Sequence, residues 1–300
     1  QTNYTFASSS DGLTITITDT VNNYVDTVTG VETLKFNDGD IAVSREGTQL
    51  VLTGDDTIGD NIEIVGSNPV TVKGRDYADD IVGGAGDDTL EGGLGDDTIT
   101  GGAGDDTIKG GDGTNDVAVF EYDQTNYTFA SSSDGLTITI TDTVNNYVDT
   151  VTGVETLKFA DGEIGVSRDA GQLVLTGDDT IGDNIEIVGQ YPVTVKGLYG
   201  SDDIVGGSGN DTLEGGAGDD TITGEEGNDT LKGEAGNDTL EGGLGDDTIT
   251  GGAGDDTIKG GDGTNDVAVF EYDQTNYTFA SSSDGLTITI TDTVNNYVDT

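Results

Sequence analysis

The sequence predicts an all-β fold in which parallel β-roll (β-solenoid) segments alternate with small antiparallel β modules, tandemly repeated along the chain. Three observations carry this. A glycine- and aspartate-rich nonapeptide starts at Gly83-Gly84-Ala85-Gly86-Asp87-Asp88-Thr89-Leu90-Glu91, repeats from Gly92 and Gly101, and returns as an unbroken ladder from Gly206 to Lys259. A longer repeat contains the shorter one: Gln1-Thr2-Asn3-Tyr4-Thr5-Phe6 recurs from Gln124 and from Gln274, so the modules are 123 and 150 residues long and differ by three nonapeptides. Outside the nonapeptides, apolar and polar residues alternate with a period of two, which is the period of a half-buried strand. A short strict period marks one rung of a stack, because no rung buries its apolar side alone.

Within a rung, glycines supply the turn, an acidic residue closes it at position six, and positions seven to nine form a short strand. Leu90, Ile99, Ile108, Leu213, Ile222, Leu231, Leu240, Ile249 and Ile258 all fall at position eight. One aliphatic per rung therefore points inward, and its neighbours, such as Thr98 and Thr100 beside Ile99, point outward. Two rungs make a coil of 18 residues, which places residues i and i+18 one above the other. The outward threonines Thr98, Thr107, Thr248 and Thr257 read as solvated β-formers rather than as a flat ice- or sugar-binding face.

The rest of each module reads as strands without the nonapeptide. Leu13-Thr14-Ile15-Thr16-Ile17-Thr18 alternates, with Leu13, Ile15 and Ile17 inside. Asp11-Gly12 and Asp38-Gly39 are turn dipeptides. The runs 49–52, 61–65 and 70–73 lead toward the first roll. The expected organisation is a β module at 1–73 with degenerate rungs, a first roll at 74–116, a β module at 117–196, a second roll at 197–266, and the start of a further module at 267–300. The chain then reads as a window on a longer array.

Composition excludes several function classes. There are 59 acidic residues against 10 basic ones, a formal charge of −49, with 50 glycines and 2 prolines. Such a charge repels nucleic acid and anionic membrane surfaces and attracts cations. The absence of Cys rules out a disulfide framework and a thiolate zinc site, and the absence of His rules out an imidazole base or ligand. No apolar run approaches the roughly 20 residues of a membrane-spanning helix, and no signal peptide is visible at Gln1. The sequons Asn3-Tyr4-Thr5 and Asn126-Tyr127-Thr128 are short, frequent matches. No base, nucleophile triad or catalytic metal constellation can be assembled, so the chain reads as a non-enzyme.

The acidic ladder carries the chemistry. Stacked rungs align the position-six carboxylates in two files, and like charges about 5 Å apart repel by roughly 0.8 kcal/mol per pair even in water. Hard divalent cations convert that repulsion into attraction. Ca²⁺ suits such a site because it accepts 6 to 8 oxygens in flexible geometry, whereas Mg²⁺ demands a strict octahedron. The position-five aspartates, such as Asp87 and Asp96, read as solvent-facing charges that add to the negative field.

The GGxGxDxUx units resemble the RTX (repeats-in-toxin) calcium-binding β-roll of bacterial secreted proteins. The resemblance implies that position-six aspartates ligate Ca²⁺ together with turn carbonyls, that the chain leaves the cell unfolded by type I secretion, and that external calcium folds it. The implied ligands are Asp88, Asp97 and Asp106 in the first roll, and Asp211, Asp220, Asp229, Asp238, Asp247 and Asp256 in the second. Four rungs depart from the pattern and read as frayed ends. Asp79 follows Tyr77 in place of a glycine, Asp202 follows Leu198 and Tyr199, and Asp116 and Asp266 are shifted by one extra residue. Glu225 and Glu234 replace the second glycine, so those turns are not expected to use positive φ there. The expected function is an extracellular or cell-surface calcium-binding structural repeat protein that self-associates through identical modules or chains as a filament, sheath or surface layer. Alternatives are the spacer of a large RTX adhesin and the secretion and folding domain of an RTX enzyme.

Overall fold

A computed structural model describes residues 3–180, 182–282 and 287–300. Among these residues the fold is all-β, and helix is confined to the single 3-10 turns Gln124–Asn126 and Gln274–Asn276. The chain divides into two compact units: Gln1–Asn126 with Leu136–Asp161, and Tyr127–Gly135 with Gly162–Thr300.

The first unit is built on two parallel ladders. One stacks Gln49–Thr53, Val70–Asp76, Thr89–Leu94, Thr107–Asp112 and Val148–Thr152. The other stacks Tyr4–Ser8, Asn61–Ile64, Asp80–Gly84, Thr98–Gly102, Val117–Val119 and Thr156–Lys158. The register is the 18-residue coil: Leu90 lies between Val72 and Ile108, and Ile99 lies opposite Ile81. These aliphatics are fully buried. Each contributes roughly 1.5–3 kcal/mol by leaving water, so the inward column is the core of the stack. Antiparallel strands flank the ladders, with Tyr4–Ser8, Thr14–Asp19 and Val25–Thr29 forming one meander.

The second unit repeats the plan with more rungs. Gln172–Thr176, Val193–Tyr199, Thr212–Ala217, Thr230–Ala235, Thr248–Ala253 and Val267–Ala268 form one ladder. Asn184–Glu186, Asp203–Val205, Thr221–Glu226, Thr239–Leu244 and Thr257–Asp262 form the second. Tyr277–Ser281, Ile288–Asp292 and Val298–Asp299 make a separate antiparallel meander.

Two expectations are corrected. Leu13 is 55% exposed, while Ile15 and Ile17 are buried. Asp11 Oδ1 accepts the Leu13 N–H at 3.0 Å, which holds Leu13 in the preceding turn and starts the strand at Thr14. Glu225 and Glu234 do adopt positive φ, at 73° and 79°. The stack imposes it, because Glu225 pairs with Gly243, and Glu234 with both Gly216 and Gly252, in unbroken parallel register. The runs 49–52, 61–65 and 70–73 contribute rungs to the same ladders, since parallel stacking needs an inward apolar residue and a strand but not the nonapeptide.

Candidate calcium centre

The strand at positions seven to nine fixes the aspartate before it. In each rung the position-six residue leaves the turn just as the chain enters the ladder, so its carboxylate points into the stack under the turn above. The result is a relay of hydrogen bonds along each file. In the first unit Val70 N–H donates to Asp88 Oδ1 (2.8 Å), Asp88 N–H to Asp106 Oδ1 (2.8 Å), and Asp106 N–H to Asp149 Oδ1 (2.9 Å). The second file runs Asp60, Asp79, Asp97, Asp116 and ends on Glu155 Oε2, with steps of 2.6–2.9 Å. In the second unit one file runs from Val193 through Asp211, Asp229 and Asp247 to Asp266. The other runs from Asp183 through Asp202, Asp220, Asp238 and Asp256 to Asp299.

Only one oxygen of each carboxylate is used in this way. Asp79, Asp88, Asp97, Asp106, Asp116, Asp202, Asp211, Asp220, Asp229, Asp238, Asp247 and Asp256 are all buried, and the Oδ2 of each has no hydrogen-bond partner. An anionic oxygen buried without a donor costs on the order of 1–3 kcal/mol or more. Beside each lies a hollow that glycine keeps open. A Cβ placed on Gly83 would sit 2.7 Å from Asp88 Oδ2 and 2.6 Å from the carbonyl oxygen of Gly101, one coil further on. The same pairing of carboxylate and carbonyl faces Gly74, Gly92, Gly224, Gly233 and Gly242. Two acceptors converging on a space with no donor form a cation site, and the mixture of carboxylate and main-chain carbonyl suits calcium. No group of three or more carboxylates gathers at a point among the described residues, so the donor set is one of carboxylates plus carbonyls.

The electrostatics agree. Burial, reinforced by Asp97 and Asp60, pushes the Asp79 carboxyl up to about 7. Burial with Asp106 and Asp87 does the same at Asp88. Burial alone raises Asp211 to about 6, and burial with Asp220 and Asp183 raises Asp202 to about 6. These groups resist ionisation because burial strips the carboxylate of water and, at Asp79, Asp88 and Asp202, neighbouring carboxylates add like charge.

Of the thirteen predicted ligands, twelve stand in this setting, Asp79 and Asp202 among them. The rungs read as frayed ends at Asp79, Asp116 and Asp202 are interior, because further rungs stack beyond each one. Asp266 is exposed, although its local sequence repeats that of Asp116. The difference is the strand Thr156–Lys158, whose Thr156 N–H donates to Asp116 O. Sequence reasoning missed Asp60, Asp149, Glu155, Asp183 and Asp299 as members of the files. Gly54 and Asp60 carry a faint signal, being a motif pair with one residue inserted; at Asp60 and Asp183 the Oδ2 accepts an N–H from Asp55 and Asp178, at 2.9 Å each. Position five has a role beyond solvent-facing charge: Asp87 Oδ1 accepts the Asp105 N–H, and Asn210 and Asp219 accept N–H groups 18 residues on.

The family model of the RTX calcium-binding nonapeptide repeat matches four times, at residues 73–108, 91–118, 196–231 and 232–267. Over those residues the chain carries calcium-binding nonapeptide repeats of the RTX type. Those matches cover the rungs whose RTX aspartates present the unpartnered Oδ2. No curated protein matches the chain. Among solved structures, the extracellular lipase LipA from Serratia marcescens is similar at 21% identity over 79% of this chain, with a TM-score of 0.30. The chain spans 38% of that lipase.

Proposed function

We propose that this chain is part of a secreted structural protein whose rolls close when calcium enters the acid files and whose rigid modules build a filament, sheath or surface layer. The observation that carries the reading is the set of twelve buried Oδ2 atoms without a donor, nine of them beside a main-chain carbonyl. With little calcium, the −49 charge and these orphaned acceptors oppose closure and leave the chain extended. With millimolar calcium, Asp88, Asp97, Asp106 and their counterparts in the second unit hold the ion together with turn carbonyls. Binding energy then becomes folding energy. The repetition of whole modules favours a structural role, because an accessory folding domain needs a single roll. Among the described residues no helix is long and apolar enough to cross a membrane.

Circular dichroism with calcium and with EGTA tests the switch. Gain of β structure on adding calcium is expected, and equal β content in both conditions overturns it. Electron microscopy of the calcium-loaded protein tests assembly: extended multi-chain fibres or layers are expected, and isolated rods at high concentration overturn that part.

A further inference from the structure

In the first unit the acid files continue past the last nonapeptide. The N–H groups of Asp106 and Asp116 are received by Asp149 and Glu155, which belong to the antiparallel module and lie outside the RTX matches. The register shows why. Thr150, Val151 and Thr152 lie opposite Thr107, Ile108 and Lys109, while Thr156, Leu157 and Lys158 lie opposite Val117, Ala118 and Val119. Val151 and Leu157 are fully buried, as the position-eight aliphatics are. Residues 149–158 thus form one more coil, with an acidic residue before each strand, but the turn between the strands is cut to Gly153-Val154. Gly153 follows Thr152 as Gly110 follows Lys109, so it takes the place that the first glycine of a nonapeptide holds in other coils.

The Gly153 carbonyl also faces the same kind of hollow. A Cβ placed on Gly110 would clash with Gly153 O and sit 2.8 Å from Asp116 Oδ2, just as Gly92 O accompanies Asp79 at Gly74 and Gly101 O accompanies Asp88 at Gly83. Asp116 is fully buried, and its Oδ2 has no hydrogen-bond partner. A further carbonyl stands nearby: a Cβ on Gly113 would clash with Gly95 O and lie 2.6 and 2.8 Å from the two carboxylate oxygens of Asp116. We infer that residues 149–158 are an abbreviated coil of the roll and that the Gly153 carbonyl completes, with Asp116, a calcium site that holds the antiparallel module on the roll. The inference rests on the calcium reading above and extends it to a ligand outside the nonapeptides. A carbonyl oxygen has two lone pairs, so Gly153 accepts the Gly111 N–H at 3.1 Å and still faces the cation. The site exists only while the module is seated, because one of its oxygens comes from the roll and the other from the module. Ion and module therefore favour each other by the same factor.

The test is hydrogen exchange read by mass spectrometry on the whole chain over a series of free calcium concentrations, with the strand Thr89–Leu94 as the reference for the roll. Thr150 N–H donates to Asp106 O, and the Glu155 and Thr156 N–H groups donate to Asp116 O, so these amides report whether the module is seated. If unseating releases one ion, each tenfold rise in free calcium above the Kd of the site slows their exchange about tenfold. Asp116→Asn keeps an oxygen for the Asp97 N–H and removes the charge, whereas Gly110→Ala keeps every carboxylate and fills the hollow. In both variants the reference strand should stay protected, native mass spectrometry should count one calcium ion fewer, and exchange at 149–158 should lose its calcium dependence. Exchange there that ignores calcium in the parent overturns the inference, and the parent's slope decides the point even where a variant does not fold. A tenfold slope retained in Asp116→Asn, or an unchanged ion count in either variant, overturns it too. Absence of calcium-induced protection at Thr89–Leu94 in the parent would instead remove the calcium reading beneath it.

Discussion

Asp88→Asn separates the two things an acid file does. In the coil Asp88 is 1% exposed, its Oδ1 accepts the Val70 N–H at 2.8 Å, and its Oδ2 faces the Gly101 carbonyl across the hollow at Gly83. Burial, followed by the charges of Asp106 and Asp87, lifts its carboxyl from 3.8 to about 7. Holding that group ionised near pH 7.5 therefore costs the metal-free coil on the order of 4 kcal/mol. Asparagine keeps an oxygen for Val70 and turns an NH₂ toward the carbonyl, so the cost disappears. The same change removes the charge that binds the cation. At free calcium a hundredfold above its dissociation constant, one site contributes about 2.7 kcal/mol. The variant should thus be more stable than the parent in EGTA, by up to about 4 kcal/mol, and gain less from calcium by about 2.7 kcal/mol. Folding by trimethylamine N-oxide in EGTA, followed by circular dichroism, measures the first quantity, and a calcium titration with native mass spectrometry measures the second. If Asp88→Asn is less stable than the parent in EGTA, or binds as many calcium ions, the account of the files is wrong.

Further outcomes follow from the same geometry. The folded-state values of Asp79, Asp88 and Asp229 lie near 7, above the unfolded value of 3.8, so the folded chain holds protons that the unfolded chain has lost. The metal-free coil should accordingly gain stability as pH falls from about 7 toward 4, and the calcium midpoint should move to higher concentration over the same range; a flat EGTA profile would contradict this. Gly83→Ala places a methyl between Asp88 Oδ2 and the Gly101 carbonyl without requiring positive φ, and should lower calcium stoichiometry, whereas Gly93→Ala meets the Arg75 backbone at φ 125° and should destabilise the coil with or without calcium. Paired calcium and EGTA melts distinguish the two. Leu231→Ala empties a fully buried position between Leu213 and Ile249 and should cost about 2–5 kcal/mol in calcium-loaded denaturation. Glu214→Gln breaks half-exposed pairs to Lys196 and Lys232 and should cost less than about 1 kcal/mol in the same assay.

Much of this was legible in the sequence by itself. The position-eight aliphatics, the position-six aspartates and the 18-residue coil all follow from the nonapeptide, because a local period dictates which side chains share a face and how rungs superpose. What the period does not encode is what lies above and below a given rung. Val70 and Val193 head two files although nothing in their local sequence marks them, and Asp149, Glu155 and Asp299 close files from 39 to 43 residues away. Asp116 and Asp266 share one local sequence, as do Phe129 and Phe279, yet one of each pair is buried and the other exposed. Identical strings have identical propensities; only the stacking of distant strands determines which carboxylate loses its water, which ring is covered and which edge stays open.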